Sequence, residues 1–397
     1  MADPRPSPAS MVIVLESDAL LCSILRRLSL SDLVRAALAC HHWCGAASRV
    51  APHAPPLLGY LFHPVDTPPP PPFRSEPEAD YPAVFIPLDT AAPRLSLDAG
   101  ADFSVHDVHL GLVLLLPRTF PGKLVPRILA LDPASGRRAL LPPPPRETLP
   151  GDKWRPARHV VGVAVLSRAH PSRLRFEAVC LTIDGDRPRA WVASVRDEGD
   201  CAWRALPRSG DVQVGFDPFW LEGRSVHAAG DVYWHICNSP RALKLDPRTL
   251  EFSYMLAPAE MVGHFAKFRI GETPEDGRLC VASAEDQQLR VWVRVEDADN
   301  SDNGWMLVRQ MGLKRVYDSV PELPRTTVGR NLCTDISDID AARTGKVFIE
   351  TLGFGHYSFH VETRELQRPV TQDGKDYGHP IYAYYLAWPP AFLASSQ

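Results

Sequence analysis

The chain has 397 residues, of which 43 are Lys or Arg and 47 are Asp or Glu, and its formal net charge is −4. This balance argues against a protein that binds nucleic acid by electrostatic attraction, since such proteins carry an excess or a patch of basic residues. A hydrophobic content of 45% is sufficient for one large and one small domain. The 40 prolines favour strands, turns and loops over long helices.

The eight cysteines are scattered, no Cys-x-x-Cys pair occurs, and no signal peptide precedes Met11. These features are typical of a reducing compartment, so we expect a cytoplasmic or nuclear protein with unbridged thiols. The longest apolar run, residues 110–116, is too short to cross a bilayer. We therefore expect no membrane partner.

Residues 1–10 are rich in Pro and Ser and are predicted to be a disordered tail. Residues 15–43 then predict two short helices separated by a tight turn, and Trp43 falls on the apolar side of the second helix. A unit of this size cannot bury its apolar side chains by itself. Two explanations stay open: the helices dock on the rest of this chain, or another polypeptide completes them. The apolar face of the first helix consists of Leu20, Leu21, Ile24, Leu25 and Leu28.

The order of residues in this segment resembles an F-box, the motif by which substrate receptors of cullin-type ubiquitin ligases bind the Skp1 adaptor. Two positions depart from the usual pattern: Glu16 stands where proline is common, and Cys44 where a basic residue is common. The matching positions are Leu15, Leu20, Leu21, Ile24, Leu25, Leu28, Asp32, Leu33, Arg35, Ala36, Cys40 and Trp43. The resemblance implies an F-box over residues 11–50 that binds the adaptor through Leu15, Leu20, Leu21, Ile24, Leu25, Leu28, Leu33, Val34 and Trp43.

Residues 51–80 include five consecutive prolines at 68–72. Such a run favours extended polyproline geometry, so a semi-rigid linker is predicted between the helices and a domain at 81–397. Docking into an aromatic groove of the SH3 or WW type is the alternative for this run. Within the linker, residues 57–62 are apolar enough to form a strand or an anchor.

From residue 81 onward, short runs of β-branched and aromatic residues alternate with turn residues, which is typical of an all-β domain. The runs also repeat. Three similar units end near Asp132, Asp246 and Glu362, at spacings of 114 and 116 residues, and two units of another kind end at Trp203 and Trp305. One unit takes about half of these spacings, a little more than the ~40–50 residues of a propeller blade.

The predicted fold class is therefore mainly β with a small N-terminal all-α unit, namely F-box helices followed by a β-propeller of about six four-stranded blades. Five units are visible, and a sixth could combine the strand near residues 84–86 with the C-terminal run 379–388. Joining the two ends of the chain in one blade would close the ring. A pair of β-sandwiches is the structural alternative.

The segments LLGYLFHP, LALDPASG, GDVYWHI and YYLAWPPAFL resemble the C-terminal region of a large plant family of F-box proteins. The resemblance extends over residues 57–393 and implies a propeller-like module that recruits a protein substrate. Together the two resemblances imply a non-catalytic substrate-recognition subunit of an SCF-type ubiquitin ligase. Its expected partners are a Skp1-like adaptor, through it a cullin, and a target protein that the sequence does not identify.

Several polar groups were weighed as chemical sites. Residues 299–304 resemble half of a calcium loop, but Gln310 stands where a bidentate Glu is needed, so a hairpin turn at Asn303-Gly304 is the prediction. Cys40, Cys44 and the two histidines between them lie too close together on one helix to surround a zinc ion. We therefore expect no metal site and no cofactor.

Asp335, Asp338 and Asp340 predict a solvated acidic loop. Paired carboxylates also serve glycoside hydrolysis, so a propeller hydrolase is one alternative function, and a scaffold unconnected to ubiquitin is another. Seven tryptophans are expected to lie mainly in blade cores, namely Trp191, Trp203, Trp220, Trp234, Trp292, Trp305 and Trp388.

Overall fold

A computed structural model gives the architecture of most of the chain. It describes residues 18–28, 30–37, 39–50, 57–66, 81–88, 95, 97, 100–120, 122–144, 156–168, 174–196, 200–261, 268–273, 276–285, 287–295, 304–320, 323–326, 334–340, 345–351 and 354–385. The predicted tail, the proline run, the loop at 299–303 and Trp388 lie outside these residues.

The described chain begins with a helical unit, residues 18–50, made of α1 (Asp18–Leu25), α2 (Leu30–Ala37) and α3 (His41–Val50). The prediction of two helices is wrong, because the chain turns again at Ala39 and Cys40 and places Trp43 in α3. All three helices contribute to one small core, which consists of Leu21, Leu25, Leu33, Ala37, Ala46 and Ala47.

The strands that follow form the blades of a propeller. Before the first complete blade come β1 (Leu57–Phe62), β2 (Pro64–Val65) and β3 (Val84–Pro87). The first blade is β4 (Phe103–His109), β5 (Leu112–Pro117), β6 (Ile128–Asp132) and β7 (Arg137–Leu141). The second is β8 (Arg158–Arg168), β9 (Phe176–Asp184), β10 (Arg187–Val195) and β11 (Cys201–Ala205).

The third blade is β12 (Leu221–Ala228), β13 (Asp231–Ile236), β14 (Arg241–Leu245) and β15 (Phe252–Leu256). The fourth is β16 (Phe268–Glu272), β17 (Leu279–Glu285), β18 (Gln288–Arg294) and β19 (Trp305–Gly312). The fifth is β20 (Thr334–Asp340), β21 (Lys346–Thr351), β22 (Gly355–His360) and β23 (Leu366–Gln367). Short elements connect the blades: the 3-10 turns Pro218–Trp220 and Ala259–Met261, and helix α4 (Lys314–Asp318).

The sixth blade joins the two ends of the chain. Its sheet has the order β25-β1-β3, with β25 at Tyr382–Tyr385, while β24 (Asp376–Tyr377) pairs with β2 beside it. The prediction that residues 84–86 and the C-terminal run share a blade is confirmed. They are joined by β1, which lies inside the range assigned to the linker. Its backbone pairs with both strands, and its apolar side chains pack on both faces of the sheet, Leu61 on one and Tyr60 and Phe62 on the other.

Blades alternate in their turn chemistry, as the repeats indicated. In the first and third blades the turn between the first two strands is Leu110-Gly111 and Ala229-Gly230, and all four residues have positive φ, between 50° and 82°. Two successive positive φ angles are characteristic of a type I′ hairpin turn, in which glycine is favoured. The glycines on which the repeat was recognised are therefore turn residues.

The repeat is more regular than the sequence suggested. After the third strand, the side chains of Asp132, Asp246 and His360 accept hydrogen bonds from turn amides two or three residues later. These three positions are each 114 residues apart. The predicted third position, Glu362, is wrong by two residues, since an imidazole replaces the carboxylate as the acceptor and hides the correspondence.

Tryptophans on the outer strands connect neighbouring blades in pairs. Trp203 Nε1 donates to Pro142 O and Trp305 Nε1 donates to Leu256 O, each at 2.9 Å. Both acceptors lie at the end of the outer strand of the preceding blade. The alternation found in the sequence therefore has a structural counterpart, in which one blade supplies the carbonyl and the next the indole.

Apolar clusters fill every space between neighbouring blades. The described residues form six such clusters, one at each of the six interfaces of the ring. Their large buried side chains, in order around the ring from the first interface, include Trp191, Trp234, Trp292, Phe359, Tyr60 and Tyr384. A closed ring covers both faces of each sheet, which explains why the strands are apolar on both sides. The alternative of two β-sandwiches is excluded.

The acidic segment at residues 335–340 is a strand, and the prediction of a solvated loop is wrong. It forms β20, the innermost strand of the fifth blade, and pairs with β21 from Thr334↔Thr351 to Asp340↔Lys346. The physical reason is the pair Ile336 and Ile339, which are buried and contribute to the interface with the fourth blade.

Candidate docking surfaces

The helical unit leaves one apolar face uncovered. Leu20 is 46% exposed, Ile24 39% and Leu28 36%, although each is a large aliphatic side chain. They follow one another at intervals of four residues and therefore line one side of α1 and of the turn after it. This arrangement can accept an apolar partner without any rearrangement of the helices.

The predicted adaptor-binding residues are thus divided between this face and the interior. Leu21, Leu25 and Leu33 are buried in the core of the helical unit, at 0%, 1% and 4% exposure, and Trp43 packs partly buried against that core. Their apolar character serves the internal packing of the unit. Leu15 and the side chain of Val34 lie outside what the structure describes.

Charged contacts between α1 and α3 hold the unit together at its surface. Arg49 Nη2 lies 2.8 Å from Asp18 Oδ2, and His42 Nε2 lies 3.6 Å from Asp18 Oδ1. All three side chains are about half exposed. Such exposed pairs contribute little to stability, so the helices depend mainly on their small apolar core.

The propeller has two distinct faces. We call the side that carries the turns 110–111 and 229–230 the hairpin face, and the opposite side, where the connections between blades lie, the loop face. The inner strand of a blade runs from the loop face to the hairpin face, and β1 is antiparallel to the inner strand β25. Leu57, at the start of β1, therefore lies on the hairpin face, so the chain reaches the propeller from the helical unit on that side.

Polar side chains close the axis between the first three blades. Asp107 Oδ2 accepts from Val165 N at 2.7 Å, its Oδ1 accepts from Ser225 Oγ at 2.7 Å, and His227 Nε2 lies 3.0 Å from Oδ1. Burial raises the pKa of Asp107, but His227 and the amide outweigh this, and the pKa lies below its ordinary value. One carboxylate therefore joins the inner strands of three blades.

Backbones also approach closely at this point. A Cβ atom on Gly162 would lie 2.1 Å from Gly223 O, and His106 Nδ1 lies 3.0 Å from the same oxygen. The register of β4, β8 and β12 shifts beside these residues, at the point where the three strands approach one another. The axis here is packed with protein atoms.

A second polar group joins the third blade to those across the ring. Arg269 Nη1 lies 2.7 Å from Glu222 Oε1, and Arg224 Nη2 donates to Ile381 O at 3.2 Å. Burial raises the pKa of Glu222, but the opposing effect of Arg269 and His235 is larger, and the pKa falls to about 2. The carboxylate is therefore ionised and occupied by its arginine.

These polar groups are arranged for structure and not for nucleophilic catalysis. Ser225 Oγ donates to the Asp107 carboxylate and not to an imidazole, so His227 is not placed to take its proton. Among the described residues, no group of three or more His, Cys, Asp or Glu side chains is placed to bind a metal ion. Burial raises the pKa of the Cys180 thiol to about 12, which makes it unreactive.

Two surface features were not found from the sequence. A cleft of about 1060 Å³ between the third and fourth blades is lined by charged side chains of both signs, including Asp231, Lys244, Glu272 and Arg278. On the loop face, Phe219 and Trp220 are 77% and 52% exposed. The prediction that Trp220 belongs to a blade core is wrong, because it lies in a connection between blades and not in a strand.

The other tryptophans mostly follow the prediction. Trp191, Trp234, Trp292 and Trp305 are buried in the clusters between blades, and Trp203 is partly buried against one of them. No helix in the described part of the chain is both long and apolar enough to cross a membrane.

The family described as "F-box protein AT5G49610-like, beta-propeller" matches this chain over residues 107–392. The chain belongs to this family. The match covers the propeller from the first blade onward and leaves the helical unit outside it. It agrees with the six-bladed ring of the structure and identifies the ring as a propeller of the kind found in F-box proteins.

Solved propellers and other proteins show weaker similarity. The β-propeller domain of Cps50 (Swd1) from Myceliophteria thermophila has a TM-score of 0.39 and 15% identity, with 75% of this chain and 81% of that one covered. The PQQ-bound aldose sugar dehydrogenase of Streptomyces coelicolor has 0.33 and 12%, with 83% and 86% covered. No curated protein matches the chain.

Proposed function

We propose that this protein is the substrate-recognition subunit of an SCF-type ubiquitin ligase, acting in the cytoplasm or the nucleus. The helical unit binds a Skp1-like adaptor, and through it a cullin, while the propeller binds the target protein. The observation that carries the proposal is the uncovered face of Leu20, Ile24 and Leu28, on a unit that directly precedes a propeller of an F-box protein family.

The apolar core of the helical unit does not include all of its aliphatic side chains. Three leucines and three alanines form its core, while two further leucines and an isoleucine face solvent. Placing these in the apolar groove of a partner is the helix-in-groove mode of recognition, with anchors at intervals of four residues. Leu21, Leu25 and Leu33 then act indirectly, by holding α1 in the position that presents the anchors.

The role of the complex is to bring two proteins together. A target held by the propeller would lie near the conjugating enzyme carried by the cullin, which raises the effective concentration of its lysines. The chain itself supplies no catalytic group in this proposal. The closed, hydrogen-bonded axis supports a binding role, since its carboxylates are occupied by partners from neighbouring blades.

The test substitutes the three exposed aliphatic residues of the helical unit and leaves its core residues unchanged. The triple variant Leu20→Asp, Ile24→Asp, Leu28→Asp places three carboxylates where an apolar groove is expected, and burying them unpaired is costly. We expect co-purification with a co-expressed Skp1-like adaptor to fall by more than about a hundredfold. Thermal unfolding of the propeller should be unchanged.

The matched control is Ser23→Asp, which adds a carboxylate to another exposed position of α1 and should leave adaptor binding intact. If the triple variant still bound the adaptor, the assignment of this face would be wrong. If the unchanged chain did not bind it, a propeller scaffold unconnected to ubiquitin would be favoured.

A propeller hydrolase remains the competing enzymatic function. It would retain its activity without the helical unit, whereas a ligase receptor would lose its function. The deletion should end at residue 50, because β1 begins at Leu57 and is the middle strand of the sixth blade. Hydrolysis of glycosides by the shortened chain would contradict the receptor proposal.

A further inference from the structure

Two exposed aromatic side chains lie next to each other on the loop face. Phe219 is 77% exposed and Trp220 52%, the highest values among the large apolar side chains of the described residues. They lie in the connection 206–220, which leads from the outer strand β11 of the second blade to the inner strand β12 of the third. Trp220 directly precedes β12, so the pair stands near the axis.

The pair is held rigidly although it is exposed. Asp217 accepts from Phe219 N through its side chain at 3.1 Å and from Trp220 N through its carbonyl at 2.9 Å. Trp220 O in turn accepts from Cys237 N of the third blade at 2.8 Å. Pro218 fixes the first position of the 3-10 turn. The aromatic rings are therefore presented on a turn tied at both ends.

Neighbouring rings support the pair from below. The ring of His159 meets that of Phe219 edge to face at 4.4 Å, and the ring of Phe216 lies parallel to that of Trp220 at 6.5 Å. Burial lowers the pKa of His159, although Asp217 opposes this, so the imidazole is neutral at physiological pH. The support therefore adds no positive charge to the surface.

The connection is acidic. Within residues 206–220, Asp211 and Asp217 outnumber the one basic residue, Arg208, and Glu222 follows in β12. Glu222 is paired with Arg269, but Asp211 and Asp217 are exposed. The nearest arginines in sequence, Arg208 and Arg224, donate to the backbone carbonyls of Asp184 and Ile381. Carboxylates beside aromatic faces favour a cationic partner.

We propose that Phe219, Trp220 and Asp217 form the docking site for the target protein, and that they recognise a Lys or Arg side chain flanked by apolar residues. This inference rests on the proposed function, since it names the surface and the partner chemistry of the propeller. Rigid, exposed aromatic side chains of this kind dominate the binding energy of protein interfaces. The aromatic faces supply the apolar contact and attract the cation, and the Asp217 carboxylate pairs with it.

The position on the loop face agrees with the role of a receptor. The chain reaches the propeller from the helical unit on the hairpin face, where β1 begins. A target on the loop face and an adaptor on the helical unit would therefore not compete for the same end of the propeller.

The experiment uses the full chain and two phage-displayed libraries of random short peptides, one with a fixed central Lys and one with a fixed central Glu. Clones enriched on the unchanged chain are synthesised with a fluorescein label, and their binding is measured by fluorescence anisotropy. We expect the Lys library to be enriched and the Glu library not. The double variant Phe219→Ala, Trp220→Ala should weaken binding of the enriched peptides by about tenfold or more.

Two further variants make the test specific. Asp217→Asn keeps a side-chain oxygen for the turn but removes the charge, so it should reduce the preference for Lys over Gln in the same peptide. Met306→Ala with Leu307→Ala removes two exposed apolar side chains from β19, at 47% and 43% exposure, and should have no effect.

Enriched peptides that bind the double aromatic variant as tightly as the unchanged chain would overturn the inference, and so would equal enrichment of the Glu library. A self-associating chain that becomes monomeric on Phe219→Ala, Trp220→Ala in sedimentation would overturn it too, by assigning the face to a second copy. Adaptor binding separates this inference from the proposed function: the aromatic variant should keep the adaptor, and the triple aspartate variant should keep the peptides.

Discussion

The helical unit and the propeller bury their apolar side chains to different degrees. In the propeller, six clusters of buried side chains occupy the six interfaces between blades, and each sheet is covered on both faces. In the helical unit, a core of six residues leaves Leu20, Ile24 and Leu28 in solvent. The propeller thus covers its own apolar surface, whereas the helical unit leaves an apolar face exposed, which our proposal assigns to a partner.

Polar groups show the same contrast. In the second blade, the buried Asp184 accepts from Arg158 at 2.9 Å and from Arg189 at 3.3 Å, and both guanidinium groups lie 4.5 Å from the ring centre of Trp191. In the helical unit, the Arg49–Asp18 pair is about half exposed. A buried network of this kind rigidifies a core, whereas an exposed pair adds little.

The largest effect is expected from breaking the propeller at Trp191. Its side chain is fully buried, and its Nε1 donates to Thr182 Oγ1 at 3.0 Å. Trp191→Ala leaves a cavity between two arginines, so we expect the free energy of unfolding of the propeller to fall by about 3–5 kcal/mol. Urea denaturation followed by far-UV circular dichroism measures this loss.

The control is a tryptophan of the same size at the surface. Trp220→Ala should lower the free energy of unfolding by less than about 2 kcal/mol, since half of its side chain is already exposed to solvent. Adaptor binding should persist in both variants, because the helical core contains no propeller residue. Loss of adaptor binding in Trp191→Ala under native conditions would contradict the independence of the two regions.

The second prediction concerns the mobility of the helices. Without an adaptor, we expect amides of α1 to α3 to exchange hydrogen with opening free energies below about 2 kcal/mol, whereas central strands such as β9 and β10 approach the global value. Hydrogen exchange measured by mass spectrometry compares both regions in one sample. An added adaptor should slow the exchange of α1, and it should fail to do so in the triple aspartate variant. Equally slow exchange in helices and blades would show that the helical unit is complete.

Much of the propeller could be predicted because its physics is local and repeated. The first and third blades use the same turn, so Gly111 and Gly230 recur and reveal the period. Closure by the two chain ends followed from the same reasoning. The middle strand β1 was harder to place, since a short apolar segment beside a proline run carries no turn signal of its own.

Other features depend on tertiary position and escape the sequence. Periodicity identified the leucines of α1 but not which of them face inward, since Leu20 and Leu21 are equally apolar and only the packing of α3 separates them. Trp220 was assigned to a core because tryptophan usually is buried. Its neighbours Asp217 and Pro218 are the signal of a turn that could have corrected this assignment.

The third prediction concerns the pH dependence of stability, which should differ between the propeller and the helical unit. Burial lowers the pKa of His63 and His106 and lowers that of His235 to about 3. In the helical unit, His41 and His42 are exposed. Acid should therefore act on the propeller through its buried imidazoles, and on the helices much less.

The sign and the pH range follow from His235. In the unfolded chain its imidazole takes up a proton near about pH 6.5, whereas in the folded propeller it stays neutral to about 3. Stability is thus full above about pH 6.5 and falls below it, by up to ~1.4 kcal/mol per pH unit for each such histidine. Glu222 adds to this loss only at lower pH, since the stability contributed by its ionised form is lost as pH falls from about 4.5 to 2.

His235→Gln isolates this effect, because the amide oxygen can still accept the hydrogen bond that Ile270 N donates to His235 Nε2 at 3.2 Å. Between about pH 6.5 and 4.5, we expect the slope of unfolding free energy against pH to decrease by about one proton. Urea titrations at several pH values, followed by tryptophan fluorescence, measure the slope. An unchanged slope would mean that His235 is protonated in the folded propeller, and the axis would then be open to water where the structure shows it closed.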